Sequence, residues 1–533
     1  MKTSVAGTLL VAVIAVLLCL IPKPENDLFF ELRIGSDILS SGHLPHVDTY
    51  SWTNAGTHWD VPEWLPFVLY ALAFRAGGFF GTWLLMALLT IATAWIVWFY
   101  LVRRTGTALA FALTTLMLLA MSGCLQERPY AFTYLLLAVS ITLIMQAREG
   151  RLRLLLWLPP LCVLWTNLHQ GVLVLIGLLF AAALGDAVTS IWLRFRAARA
   201  TPDLLIATAE EWKARDREAA ELRHTYSRRA WGLLGTALAC LGAGMVSPYG
   251  WRVYWNVFIT LRDHNLMANV TEWNSAATLP LVQLEPFLAV ALIVFGTVAL
   301  SRRRDLGDYL VVLALFTESL LHARGIPLFA LGGMVIVGTH YSFLGISLNL
   351  TPYRRLLNAF AFAVIVAIAL VSFANLRRAV GPRGYSLAGI GEAVAQEPSY
   401  PANACAFMDK EGFPSHLRLL NDFETGGYLM WRLPREPVFV DGRLDVYVGR
   451  TFDDMLTLAR APGSPAWAAL VQRYDFDCVI TNSRREAAAF AADPRWQLLY
   501  SDPNGSAQHC YVFLRRRPEF AALIVRCLRD RPQ

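Results

Sequence analysis

The feature that most constrains this 533-residue chain is the recurrence of apolar runs long enough to cross the roughly 30 Å hydrocarbon core of a bilayer. They lie at about 4–22, 79–102, 107–123, 131–146, 154–168, 171–193, 231–246, 282–300, 307–321, 325–339 and 356–374, so about eleven spans are expected. Inside hydrocarbon the backbone must satisfy its own N–H and C=O groups, and runs of this length do so as helices. The chain is 56% hydrophobic and only 16% charged, which excludes an ordinary soluble globule and predicts an α-helical polytopic membrane protein. The formal charge of +7 needs no nucleic-acid partner, because clusters of Arg at helix ends account for it.

Those clusters also predict orientation. Lys2, Arg103/Arg104, the stretch Arg148 to Arg153, Arg194 to Arg199, Arg302 to Arg304 and Arg354/Arg355 fall at alternate span ends, as expected of cytoplasmic loops. The N-terminus is therefore expected in the cytoplasm and the C-terminus outside. A cleaved signal peptide is the alternative for the first run; an uncleaved span is preferred, because no A-x-A-like site precedes Pro22.

Two regions depart from the span-and-turn pattern. The first, within 194–230, opens a helical pattern at Thr201 and Pro202, with Leu205, Trp212, Ala219, Leu222 and Tyr226 at near-helical spacing among dense charges. It predicts a cytoplasmic amphipathic helix on the inner leaflet. The second, residues 376–533, has ordinary soluble composition, and LRLLN, PVFVDGR, DCVITN, WQLLYS and CYVFLRR alternate with helical patterns. That alternation predicts an extracytoplasmic α/β domain behind a transmembrane domain of residues 1–375. Cys405, Cys478, Cys510 and Cys527 lie in it; disulfides are possible in an oxidising compartment, and the absence of any C-x-x-C disfavours a cysteine metal site.

The longest polar stretch between spans follows the first one. It begins at Pro22, occupies most of an external loop at 23–78, and sets Asp27 and Glu31 one helical turn apart beside the membrane with aromatics between them. Carboxylates so placed are the material of general-base chemistry on a polar substrate.

A first span, a loop with D-x-x-x-E (Asp27 to Glu31), then P-x-x-D-x-Y-S-W-T (Pro45 to Thr53) and W-x-x-x-E-W-L (Trp59 to Leu65) resembles the opening of GT-C-fold glycosyltransferases. These multispanning enzymes, protein mannosyltransferases and aminoarabinose transferases among them, take sugars from polyprenyl-phosphate carriers. Gln126 to Pro129, Asn167 to His169, Ser247 to Trp251, Glu272/Trp273, Ala323 to Pro327 and the external segment Val438 to Asp445 are similar to segments of bacterial members. Relatives often have a His shortly after the first-loop Asp, where this chain has Glu31, and N-H-E-W where it has Val61-Pro62-Glu63-Trp64. Those departures bear on metal dependence, on the leaving group and on whether the chain is active.

The resemblance implies transfer of a sugar from a polyprenyl-phosphate donor to a lipid, polysaccharide or protein acceptor at the external face of the bacterial inner membrane. It implies Asp27 as the base that takes the acceptor proton, with Glu31 beside it. Arg128, His169 or Arg324 would offset charge on the leaving phosphate, or a divalent cation such as Mg or Mn held by Asp27 and Glu31 would do so. Trp59, Trp64, Trp251 and Trp273 would offer faces to sugar rings, with Glu63, Tyr249, Glu272, Asp441, Arg443 and Asp445 as further substrate-binding residues.

Each assignment has a structural counterpart. Asp27 also suits the start of a helix, Arg128 and Arg324 the membrane interface, the tryptophans an aromatic belt, Glu63 a helix N-terminus and Asp441 a D-G turn. Asp186, Glu285 and Glu318, near span ends, fit helix pairing or snorkelling better than a proton path. No P-loop, G-x-G-x-x-G after a strand or G-x-S-x-G is present, which argues against nucleotide and α/β-hydrolase chemistry. The alternatives are an O-antigen ligase or polymerase, and a non-catalytic flippase or scaffold for lipid-linked glycan.

Overall fold

The computed structural model describes residues 5–22, 26–199, 209–263, 268–269, 273–345, 351–381, 384–395, 400–447, 449–502 and 509–529. The apolar runs become helices: α1 Val5–Cys19, α2 Asp27–Ser41, α3 Trp64–Thr105, α4 Thr107–Met121, α5 Tyr130–Arg148, α6 Leu158–Leu168, α7 Val172–Arg199, α8 Ala209–Ala243, α9 Arg252–Arg262, α10 Leu281–Leu300, α11 Leu306–Leu321, α12 Ile326–Tyr341 and α13 Arg354–Val380. Of the eleven expected spans, seven lie in helical stretches of at least 18 residues apolar enough to cross a membrane, Trp64–Thr105 and Asn358–Val380 among them, whereas Val5–Cys19 and Leu152–Leu168 are shorter apolar helices. The run at 231–246 is the end of α8, and that at 307–321 is the 16-residue α11.

Helix α3 is two helices joined at Gly77 and Gly78. Gly78 has φ 58° and ψ −149°, a backbone region closed to residues with a Cβ, so the glycine pair turns the chain from the first loop into the bundle. The charged stretch before 231 is continuous with the apolar run after it in the single helix α8, which packs along α7 with Ser190 Oγ donating to the Arg223 carbonyl (3.3 Å). It is thus one arm of a helical hairpin. The predicted start at Thr201 and Pro202 lies outside the described residues.

Where α5, α7, α8, α11 and α12 converge, three arginines and three aspartates are buried together. Arg148 donates to Asp308 (3.0 Å), Asp186 (3.0 Å) and Asp305; Arg229 to Asp186 (3.1 Å) and Asp305 (2.8 Å); Arg303 to Asp308 (2.8 Å). His340 Nε2 lies 3.1 Å from Asp308. Asp186 is therefore a helix-pairing residue. Buried charges persist when opposite charges meet them in this way.

The C-terminal region begins with α14 Leu387–Val394 and α15 Ala402–Glu411 and forms a four-stranded sheet of order β1-β2-β4-β3, from β1 Leu419–Asn421, β2 Cys478–Thr481, β3 Trp496–Ser501 and β4 Tyr511–Arg515. β1 and β2 are parallel; β4 runs antiparallel to β2 and β3. α16 Phe423–Arg432, α17 Arg450–Arg460, α18 Pro465–Tyr474, α19 Arg484–Ala491 and α20 Ala521–Arg529 complete it. The α/β expectation holds, with one difference: PVFVDGR is no strand of this sheet. Its Val438 instead bridges Ser51 of the first loop.

Candidate active site

The first loop is held by the C-terminal domain. Trp52 N donates to the Val438 carbonyl (3.1 Å), Val438 N to Tyr50 (3.0 Å), and the Trp52 indole to Leu419 (2.9 Å). The buried Asp48 accepts from Tyr50 N (3.0 Å), from the Ser51 hydroxyl and from Arg443 Nη1 (2.8 Å). Arg443 closes a bidentate pair on Asp441 (2.8 and 2.6 Å), and the Tyr447 hydroxyl donates to the same carboxylate (2.7 Å). Asp441 and Arg443, expected to bind substrate, are buried and occupied with this clamp. Such a bidentate, desolvated pair fixes geometry, and its donors are already used.

The clamp sets the rest of the site. The Arg443 guanidinium lies 4.6 Å from the Trp59 ring, whose indole N–H donates to Asp445 (3.0 Å). Desolvation of the carboxyl pushes Asp445, whose residue otherwise keeps an exposed face, up to about 6. Glu63, just before α3, is pushed up to about 8, first by desolvation and then by the charges of Asp445 and, further down the order, Asp27. The shift favours the protonated carboxyl near neutral pH.

His169 follows the last turn of α6, and its Nε2 is 3.5 Å from Glu63 Oε1. Its Nδ1 accepts the Gly171 N–H (2.9 Å) and lies 2.8 Å from the Thr133 hydroxyl, which itself accepts from the Trp165 indole (2.9 Å). That assigns the ring proton to Nε2, facing Glu63. Desolvation, with the Arg324 charge second, lowers the imidazole to about 3, so it stays neutral. Arg324 stands over the Trp273 ring, 3.1 Å from its centroid.

Asp27 opens α2, where Asn26 occupies the cap position without a side-chain cap bond. The Asp27 carboxylate lies 3.2 Å from Arg128 Nη2. Gly442 faces it so closely that a Cβ there would collide with Asp27 Oδ1, and a Cβ on Gly427 would meet the Asn26 carbonyl at 2.6 Å. Small residues thus let the C-terminal domain reach the start of α2. It also delivers a residue that the sequence reading missed: Glu424, in the first turn of α16, accepts from Asn26 Nδ2 (3.0 Å), while Arg128 Nη2 is 3.5 Å from Asn26 Oδ1. The available signal was its position just past β1, at the carboxyl end of a parallel strand.

The structure therefore brings Asp27, Glu63, Arg128, His169, Arg324, Asp445, Trp59 and Trp273 to one end of the bundle. Trp64 is tied to Asn167 (3.0 Å) beside them. Tyr249 is buried below the loop, its ring 6.5 Å from that of His46. Trp251 is 59% exposed and joins Trp255 and Phe258 in an apolar stripe along α9, the arrangement of a helix in the membrane interface. Glu272 lies outside the described residues. Glu31 is buried four residues beyond Asp27. A divalent cation fits poorly: among the described residues no group of three or more His, Cys, Asp or Glu side chains is placed to hold one, and Arg128 already stands against Asp27.

No family model matches the chain, and no curated protein matches it. Among solved structures, the oligosaccharyltransferase of Archaeoglobus fulgidus, crystallised with a tethered acceptor peptide containing the NVT sequon, aligns with TM-score 0.51 at 13% identity, over 90% of this chain and 68% of that one. A second structure of that enzyme, with zinc and sulfate, aligns at 0.47 with 12% identity over 89% and 68%. ArnT of Cupriavidus metallidurans bound to undecaprenyl phosphate aligns at 0.43 with 13% identity over 99% and 98%. The likeness to the first of these shows the fold: a GT-C-type helical membrane body with a C-terminal domain.

Proposed function

We propose that the protein is a membrane glycosyltransferase that moves a sugar from a polyprenyl-phosphate carrier to a lipid, polysaccharide or protein hydroxyl. The observation that carries this reading is the meeting of Asp27, Arg128, Glu63, His169 and Arg324 at one end of a GT-C-type bundle. The donor class rests on the sequence resemblance of the first loop. The external face is supported by the arginine-rich helix ends, such as Arg103/Arg104 and Arg148, which lie at the other end of α3 and α5.

In the proposed reaction Asp27 accepts the proton of the acceptor hydroxyl as that oxygen attacks the anomeric carbon. The bond from that carbon to the phosphate oxygen breaks, and the carrier phosphate leaves with the electron pair. Arg128 and Arg324 serve as the fixed cations that offset the charge developing on it. Glu63, protonated, and His169, with its proton on Nε2, serve as donors that orient sugar hydroxyls. No step requires a metal ion.

The test is sugar transfer by the protein in nanodiscs with a panel of polyprenyl-phosphate sugars, comparing wild type with Asp27→Asn. Transfer by the wild type that vanishes in the variant, with donor binding retained, supports the reading. Donor binding without transfer in either form replaces it with a scaffold or flippase.

A further inference from the structure

Between the first loop and the C-terminal domain lies an open cleft of about 610 Å³, lined by Thr49, Ser51, Trp52 and Ala55 from the loop and by His416, Arg418, Pro437, Arg473 and Tyr474 from the C-terminal domain. The volume is that of a ligand site, ~300–1,000 Å³. Its lining carries His416, Arg418 and Arg473 and no carboxylate. Each lining arginine meets one aspartate through Nη1, and the Arg418 and Arg473 side chains remain 54% and 40% exposed. Asp475 takes Arg418 (3.3 Å), Arg517 (2.8 Å) and Arg515; Asp454 takes Arg473 (3.0 Å) and the Tyr474 hydroxyl (2.7 Å); Asp477 takes Arg517 (2.9 Å).

Two rings form the walls. Trp52 and Tyr474 stand at 83° to each other with centroids 6.0 Å apart, and the indole is fixed by its bond to Leu419. His416 holds φ 63°, a conformation that non-glycine residues adopt at some cost and that recurs at binding sites. The strand of loop that lines the cleft continues through Asp48 to Trp59 and Asp445, so the cleft and the candidate active site share one rigid connection.

We propose that this cleft binds an acidic saccharide, with its carboxylate or phosphate groups on Arg418 and Arg473, its ring faces on Trp52 and Tyr474, and a hydroxyl on the exposed Thr49. Aromatic walls beside the Thr49 hydroxyl favour a sugar over an acidic peptide. That the bound saccharide is the acceptor strand rests on the transferase reading; that the cleft binds it does not.

The experiment titrates the full-length protein, in nanodiscs of uncharged lipid, with oligogalacturonate, a phosphorylated malto-oligosaccharide, neutral malto-oligosaccharide and oligoglutamate of matched length. Saturable binding is expected for at least one acidic saccharide, at least tenfold tighter than for the neutral one, and weakening as salt rises. Which of the two binds identifies carboxylate or phosphate as the recognised group. The Arg418→Gln/Arg473→Gln double variant should lose at least tenfold in affinity with its melting temperature kept. Thr49→Trp, which fills the cleft from an exposed position and touches no cation, should lose as much, and Arg485→Gln nothing. Equal binding of oligoglutamate, undiminished binding by both cleft variants, or no saturation with either acidic saccharide would overturn the proposal. Binding without transfer from any donor leaves the cleft standing and removes the transferase reading; transfer without binding does the reverse.

Discussion

At one end of the bundle Arg148, Arg229 and Arg303 meet Asp186, Asp305 and Asp308; at the other Arg128 and Arg324 stand among Asp27, Glu63 and Asp445. Helix α5 links them, with Arg128 just before its first turn and Arg148 in its last, about 30 Å apart at 1.5 Å per residue. The first cluster is closed: the Arg148, Asp186 and Asp308 side chains are 0% exposed and bonded at about 3 Å. The second is open. Asp27 and Glu63 are 22% and 25% exposed, and the Glu63 to His169 distance is 3.5 Å. Opposite charges closed on one another hold helices; carboxyls kept near each other in a cleft hold protons for use.

The sharpest way to break that comparison is to open the closed cluster. Arg148→Met leaves Asp186, Asp305 and Asp308 short of a shared partner, and removing one member of a buried ion network costs about 3–5 kcal/mol. We expect loss of monodisperse protein in detergent, or a melting temperature several degrees lower. A variant as stable as wild type would mean that the cluster is not what ties these helices together.

The open cluster should respond in the opposite way. Asp27→Asn keeps the shape, and a general base contributes about 10²–10⁴ in rate. Transfer should fall by about that much while stability changes by less than it does in Arg148→Met, because the Arg128 and Asp27 side chains keep 15% and 22% of their surface in solvent. Unfolding of the variant would instead make Asp27 a structural partner of Arg128. Glu424→Ala, which removes the acceptor, should act through Asn26 on Arg128, cutting transfer by about tenfold, the size of one lost positioning bond of ~1.4 kcal/mol, with donor affinity little changed. A fall in donor affinity alone would make Glu424 a donor contact.

Much of this fold was legible in the sequence because spans are local facts: an apolar run declares its own helix. The single helix through 209–243 was harder to see, since a charged amphipathic face pairs as readily with α7 as with a lipid surface. Within the site, Asp27, Glu63 and Arg128 were visible as loop and span-end charges. Asp441 and Arg443 were visible too, but their clamp on Asp48 joins positions 395 residues apart, and no periodicity reports such a contact. Glu424 was missed for the same reason: its meeting with Asn26 exists only once α16 has packed on α2 across Gly427.

The mildest perturbation tests whether the open cluster stores a proton. Glu63 folds with its carboxyl near 8, against an ordinary value near 4.3 in the unfolded chain. Between those values the folded protein keeps a proton that the unfolded chain releases, so stability falls as pH rises through that window and levels off above about 8. His169, lowered to about 3, works the other way: the unfolded chain binds the extra proton below about 6.5, so its effect is confined to acid. From pH 6.5 to 8.5 His169 adds no slope, and the part that Glu63 adds to that of Glu436 and Glu486 is the part that Glu63→Gln removes. Glu63→Gln should change transfer at pH 7 by less than about threefold, because the amide keeps a donor where the protonated acid had one. Its melting temperature should gain on wild type by about 1–2 °C between pH 6.5 and 8.5, a fraction of the full linkage because a quarter of the side chain meets solvent. Parallel melting curves across that range would mean that Glu63 is ionised in the fold, and the open cluster would then differ from the closed one in exposure alone.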